Sequence, residues 1–258
     1  MDRPSILVEN LFKNYGQTRA LDGVDLKINP GEMFGLLGPN GSGKTTLLKI
    51  LCSVLDYTSG NVEVSGLNVL RDSMQIRKII GYVPETPVLY ESLTASEYLD
   101  FIGGIRRIDH ESIEKKKDRF ARAFEIEDKM DTFVGSLSFG TKQKVAIISS
   151  LLHDPPLIIM DEAMNGLDPR SARILKDLLS EYASRGRTII FSTHILEVAE
   201  SLCSRLAIIY RGNIVDSGTP GDLKSRSGGR KLEDIFLEAT NSNDLNIVVN
   251  SLKETILQ

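Results

Sequence analysis

The chain has 258 residues, 41% of them hydrophobic, so it can bury the core of one large domain or of a domain with a subdomain. Charged residues make up 26% and the net charge is −4; no overall basic field advertises nucleic acid, which is left out of the expected partners. No apolar run approaches the roughly 18–20 residues that span a bilayer, and "MDRPSILVEN" lacks the charged-then-apolar layout of a signal peptide, so a soluble, cytoplasmic chain is expected, able to rest on a membrane only by docking to another protein.

In chain order, Ile6 and Val8, then Val24, Leu26 and Ile28, stand at strand spacing before a Pro30-Gly31 turn. "EMFGLLG" reads as a short buried strand ending in glycine. "KTTLLKILCSVL" reads as a helix, with Leu47, Leu48, Leu51 and Val54 on one face. "GNVEVSG" reads as a further strand. From about Leu89 to Leu152 the strand signals vanish. Here "LTASEYLDFIGGI" holds Thr94 and Glu97 at capping-box spacing, with Leu93 and Tyr98 placed as a hydrophobic staple. "HESIEKKKDRFARAF" is charged and helical, and its run Lys115-Lys116-Lys117 is expected to be a solvated face.

"PLIIMD" is a short continuous apolar run, the mark of a strand buried on both faces. Asp168-Pro169 supplies a helix N-cap and first helical residue; Ile174, Leu175, Leu178, Leu179 and Tyr182 then form one apolar face. "RTIIFST" reads as a second buried strand, "ILEVAESLC" as a helix, and "RLAIIYRGNIVDSG" as a hairpin around Gly212-Asn213. From about Lys224 the chain turns polar; "LEDIFLEAT" reads as a short helix and residues 241–258 as a weakly amphipathic tail. The cysteines, Cys52 and Cys203, sit in apolar surroundings and read as reduced core thiols. This alternation predicts an α/β fold with a mostly parallel sheet, interrupted by β structure near the N-terminus and by a helical insert. Residues 1–223 are expected to form one unit, with the helical subdomain inserted at about 86–154, and 224–258 a C-terminal extension.

Two stretches carry chemistry. "GPNGSGKT", residues Gly38, Pro39, Asn40, Gly41, Ser42, Gly43, Lys44 and Thr45, matches G-x-x-x-x-G-K-[ST] between a predicted strand and a predicted helix. Glycines let successive backbone N–H groups turn inward toward phosphate oxygens, and the helix N-terminus, which runs on into Thr46, adds positive potential. Lys44 supplies a point charge to terminal phosphates and Thr45 a hydroxyl to Mg2+. "LIIMDE" is an apolar strand ending in two acids: Asp161 is placed to reach Mg2+ at the C-terminal sheet edge, and Glu162 to orient or deprotonate an attacking water. The implied class is a P-loop nucleotide hydrolase.

"LSFGT" upstream of "LIIMDE", with "GLDP" and "FSTH" downstream, resembles an ATP-binding cassette (ABC) ATPase over roughly residues 4 to 223. The resemblance implies that Tyr15 stacks on adenine, that Glu85 stands where a glutamine usually serves Mg2+ and the attacking water, and that His194 contacts the γ-phosphate. It places the N-terminal β structure in an antiparallel subdomain. In "LSFGT", Ser138 and Gly140 match the consensus Leu-Ser-Gly-Gly-Gln, while Phe139 and Thr141 depart from it. The implied ligands are ATP and Mg2+. The implied partners are a second cassette, bound head-to-tail so that Ser138 and Gly140 complete its site, and an integral membrane permease, which the chain would meet from the cytoplasmic face; the chain resembles the branch that drives exporters. A soluble single cassette, as in iron–sulfur assembly, stays open as the alternative. No Asn-Lys-x-Asp guanine-reading motif and no second P-loop are present. His110 and His153 read as surface or packing residues.

Overall fold

The computed structural model describes residues 5–226 and 232–239. Its first half runs β1 (Ile6–Tyr15), β2 (Thr18–Ile28), β3 (Met33–Leu37), α1 (Lys44–Leu51), β4 (Ser59–Val64), β5 (Leu67–Asn68), α2 (Ser73–Ile79) and β6 (Ile80–Val83). Three helices follow: α3 (Ala95–Ile105), α4 (His110–Phe124) and α5 (Phe139–Leu151). The chain then resumes α/β alternation with β7 (Leu157–Asp161), α6 (Pro169–Ser184), β8 (Thr188–Thr193) and α7 (Leu196–Leu202). It closes with the hairpin β9 (Arg205–Tyr210) and β10 (Asn213–Gly218), then α8 (Pro220–Arg226) and α9 (Leu232–Ala239).

Strands β2-β1-β4-β5 form an antiparallel sheet. The second sheet has the order β10-β9-β3-β8-β7-β6, parallel except for β10. Its central strands are apolar on both sides because both faces are covered. Ile158 and Met160 of β7 enter a core shared with the helical block and α6, whereas Leu157 and Ile159 enter one shared with α1 and the antiparallel sheet. The parallel register pairs Leu37 with Thr193 and Asp161 with Ser192. The loop after β3, the acids after β7 and the histidine after β8 therefore leave the sheet at one edge, where open α/β sheets hold ligands.

Local signals account for most element starts. Thr94 Oγ1 accepts from Glu97 N, and Glu97 Oε2 accepts from Thr94 N, closing the expected capping box. Asp168 caps α6 through Ser171 N, with Pro169 at the first helical position. Cys52 and Cys203 are buried free thiols; burial, with Asp161 adding, raises the Cys52 pKa well above its ordinary value, and burial pushes Cys203 up to about 12. Both stay protonated at neutral pH.

Three expectations need correction. The lysine run is not one solvated face: Lys115 is exposed and pairs with Glu111, but Lys116 donates to Leu152 O at 2.5 Å and Lys117 is buried. Consecutive helical residues are rotated by about 100°, so three in a row cannot share an environment. The helix after the P-loop stops at Leu51, and Val54 lies exposed beyond a Ser53 with φ +54. The hairpin reverses at Arg211-Gly212, both with positive φ (48° and 80°), and Asn213 already belongs to β10. No strand was expected at Ile80–Val83, where four residues at the sheet edge are too few to show a period. Residues 241–258 lie outside the described residues.

Candidate active site

The turn from β3 into α1 is possible only with glycines. Gly43 has φ +111, and a methyl group added there would fall 2.8 Å from Ala20 O; at Gly38 it would fall 2.4 Å from Ile209 O. The loop thus lies pressed between β2 and β9. Lys44 is buried, and its ammonium donates to Gly38 O at 2.7 Å and Pro39 O at 3.2 Å. Asn40, Gly41, Ser42, Gly43, Lys44, Thr45 and Thr46 line a cavity of about 380 Å3 together with Ala20, Glu85 and Glu162.

The acids at the end of β7 face this loop. Glu162 is buried; its Oε1 stands 3.4 Å from Lys44 Nζ, and its Oε2 accepts from His194 Nδ1 at 2.8 Å. Glu162 holds a left-handed backbone, φ +50, rare for a residue with a Cβ. Ser192 fixes it: its Oγ accepts from Glu162 N at 3.0 Å and donates to Asp161 Oδ1 at 2.7 Å. Asp161 Oδ2, Glu162 Oε1 and Ser42 Oγ are buried without a hydrogen-bond partner. Such groups are costly unless a ligand satisfies them. A hydroxyl at Thr45 and carboxylates at Asp161 and Glu85 line one adjoining cleft of about 550 Å3. That all-oxygen donor set fits Mg2+ beside a phosphate chain.

Ser138 and Gly140 are not among the residues lining the P-loop cavity. Ser138 caps α5, its Oγ accepting from Thr141 N at 3.3 Å. A chain with a phosphate loop, metal-competent acids and a helix cap of this kind standing apart from both has a clear set of relatives. A family profile described as "ABC transporter" matches residues 21–165. An uncharacterized ABC transporter ATP-binding protein of Methanocaldococcus jannaschii is 38% identical over 221 residues, covering 86% of this chain and 80% of that protein. A linearmycin resistance ATP-binding protein of Bacillus subtilis is 34% identical over 237 residues, covering 90% and 75%.

The chain belongs to the ABC transporter family. It is an ATP-binding subunit and an ATPase. A dimeric ATP-binding cassette solved in a post-hydrolysis state with ADP and phosphate superposes with a TM-score of 0.77 at 26% identity, over 83% of this chain and 98% of that one. In this ABC ATPase the fold brings Lys44, Thr45, Glu85, Asp161, Glu162 and His194 around adjoining clefts. Tyr15 stands at the β1–β2 hairpin, half-exposed with Lys13 Nζ 5.0 Å from its ring centroid, outside the lining of the cavity.

Sequence reasoning missed Ser192 and Gln143. Ser192 lies two residues before His194 on a strand, so the alternation of side chains was its available signal. Gln143 is fully buried on α5, and its amide donates to Ala163 O at 3.1 Å; nothing in its local sequence marks that long-range contact. Asp100, His110 and Glu114 also approach one another, but Lys117 Nζ lies 2.6 Å from both Asp100 and Glu114 and supplies their counter-charge.

Proposed function

We propose that two copies of this ABC ATPase, or one copy and a related cassette, close head-to-tail around two ATP molecules. Each ATP is then held by the P-loop of one subunit and by Ser138 and Gly140 of the other. One observation carries this reading: Ser138 and Gly140 lie off the cavity that Lys44 and Glu162 line. A dimeric cassette with ADP and phosphate bound among the structural neighbours supports it.

In this reading the backbone from Gly38 to Thr46 cradles the phosphates, with Lys44 turning from loop carbonyls to the terminal phosphates. Thr45, Glu85 and Asp161 would hold Mg2+, which when bound offsets the charge of the phosphate oxygens. Glu162 accepts the proton of the attacking water; the water oxygen bonds to the γ-phosphorus as the bond to ADP breaks, giving ADP and phosphate. His194 orients Glu162 and reaches toward the γ-phosphate. Tyr15 stacks on adenine.

Closing and opening of the pair would drive a separate membrane permease, with the cassette on the cytoplasmic face. No described helix is long and apolar enough to cross a membrane. The antibiotic-resistance name of the Bacillus relative favours an exporter. We also take residues 1–223, with the insert at about 86–154, as the working unit. The test is Glu162→Gln: it should keep ATP binding and stop hydrolysis, so size-exclusion in ATP and Mg2+ should show a stable dimer. A monomer at every protein concentration would overturn the two-site reading.

A further inference from the structure

Phe139 departs from the glycine expected at its place, and its environment gives it a task. Its ring rests on Gly166, in the loop that follows Glu162. A methyl group added at Gly166 would fall 2.5 Å from Phe139 Cδ1 and 2.6 Å from Cε1. Gly166 has φ +77, which favours glycine, and its lack of a Cβ leaves the α-carbon bare for the ring. The neighbouring Gly140 is equally close: a methyl group there would fall 2.5 Å from Gly166 O. The same helix grips the loop at both ends, through Gln143 Nε2 on Ala163 O (3.1 Å) and Lys144 Nζ on Asp168 Oδ2 (2.8 Å). The Lys144 bond, with those to Ser171, holds the Asp168 carboxyl well below its ordinary pKa.

We infer that Phe139 is a positioning residue for hydrolysis: it clamps the loop 163–168 to α5, so that the helix carrying Ser138 and the backbone of Glu162 move together. Glu162 is sensitive to such a clamp because its left-handed backbone is hydrogen-bonded to Ser192 on one side and to the loop on the other. Asn165 N donates back to Glu162 O at 2.9 Å, so a shift at Gly166 is one residue from a contact with Glu162 itself. Phe139 touches neither Lys44 nor the P-loop cavity, and it acts only through the loop. A consequence rests on the head-to-tail reading above: engagement of Ser138 by one ATP would bear on Glu162 at the other.

The experiment compares Phe139→Ala, Phe139→Leu and Gly166→Ala in the full chain, with Mg2+ and ATP. The ring is half-exposed, so its truncation spares the core. Phe139→Ala should lower kcat about tenfold, as small misplacements of catalytic groups do, with KM changed less than about twofold. Phe139→Leu, which keeps an apolar cover on Gly166, should restore most of kcat. Phe139→Ala combined with Glu162→Gln should still trap the ATP-bound dimer. Gly166→Ala should lose kcat too, and the double variant should fall no further than the worse single one. Retention of kcat in Phe139→Ala, a loss seen in KM or dimer trapping alone, or multiplicative losses in the double variant would each overturn the clamp. If Glu162→Gln alone gives no dimer, the head-to-tail reading fails, while the kcat of Phe139→Ala still decides the clamp.

Discussion

Glu162 works under opposing demands. A general base needs a lone pair free for water, yet this carboxylate is buried between Lys44 and His194. With Lys44 drawn to phosphates, Oε1 is released, while His194 keeps Oε2 in place. His194 can donate to Glu162 and to a phosphate together only as an imidazolium, since a neutral ring has one N–H. A second histidine makes a cleaner pH test. His153 Nε2 donates to Ile80 O at 3.1 Å, and its pKa is pulled down to about 4 by burial and then by the nearby Arg106 charge. The unfolded chain binds this proton near the ordinary value of 6.5, and the folded chain refuses it until about 4. Stability from this group is therefore complete above that window and is lost as pH falls through it. His153→Gln, which keeps a donor for Ile80 O, should flatten the fall of Tm between pH 6.5 and 4. Parallel Tm curves for variant and wild type would reject this account. Sequence alone left His153 as a surface or packing residue; its partner lies 73 positions away, beyond the reach of any local pattern.

The helical block shows how an element is tied down by one charge. Lys117 of α4 donates to Ser96 Oγ at 3.0 Å and Asp100 Oδ1 at 2.6 Å on α3, and pairs with Glu114 Oε1 at 2.6 Å. Exposed Lys115 pairs with Glu111, one turn earlier. Surface pairs of that kind are worth under about 1 kcal/mol, whereas removing a buried, charged donor costs about 1–3 kcal/mol. Lys117→Ala should therefore lower the urea midpoint clearly, and Lys115→Ala should leave it within error. Equal effects would mean that the α3–α4 contact does not depend on Lys117. Helix starts were legible because caps are local: Thr94 and Asp168 each bond a residue three positions on. Lys117 was misread because its sequence neighbours are also lysines. Which of the three faces inward depends on where α3 packs.

At the scale of the whole molecule, the proposed head-to-tail pair divides each ATP site between two chains. Ser138→Arg should then disable the site built on its partner's P-loop and spare the one holding its own Lys44. Mixed dimers carrying Ser138→Arg and Lys44→Ala test this by ATPase rate. With both changes on one chain, each site loses one of its parts; on opposite chains, both losses fall on one site and leave the other intact. The opposite-chain dimer should therefore keep the higher rate, and equal rates or the reverse order would refute a shared site. The sequence by itself determined the alternation of elements, the phosphate loop and the acids after β7. These depend on residue type and spacing within a dozen positions, which a periodic apolar pattern and glycine punctuation record. Only the tertiary structure decided that Ser192 holds Glu162 and Asp161 together, and that Lys117 is buried. It alone set Phe139 on Gly166. Each joins residues that are distant in sequence, and a contact made by packing leaves no trace in the local pattern of either partner.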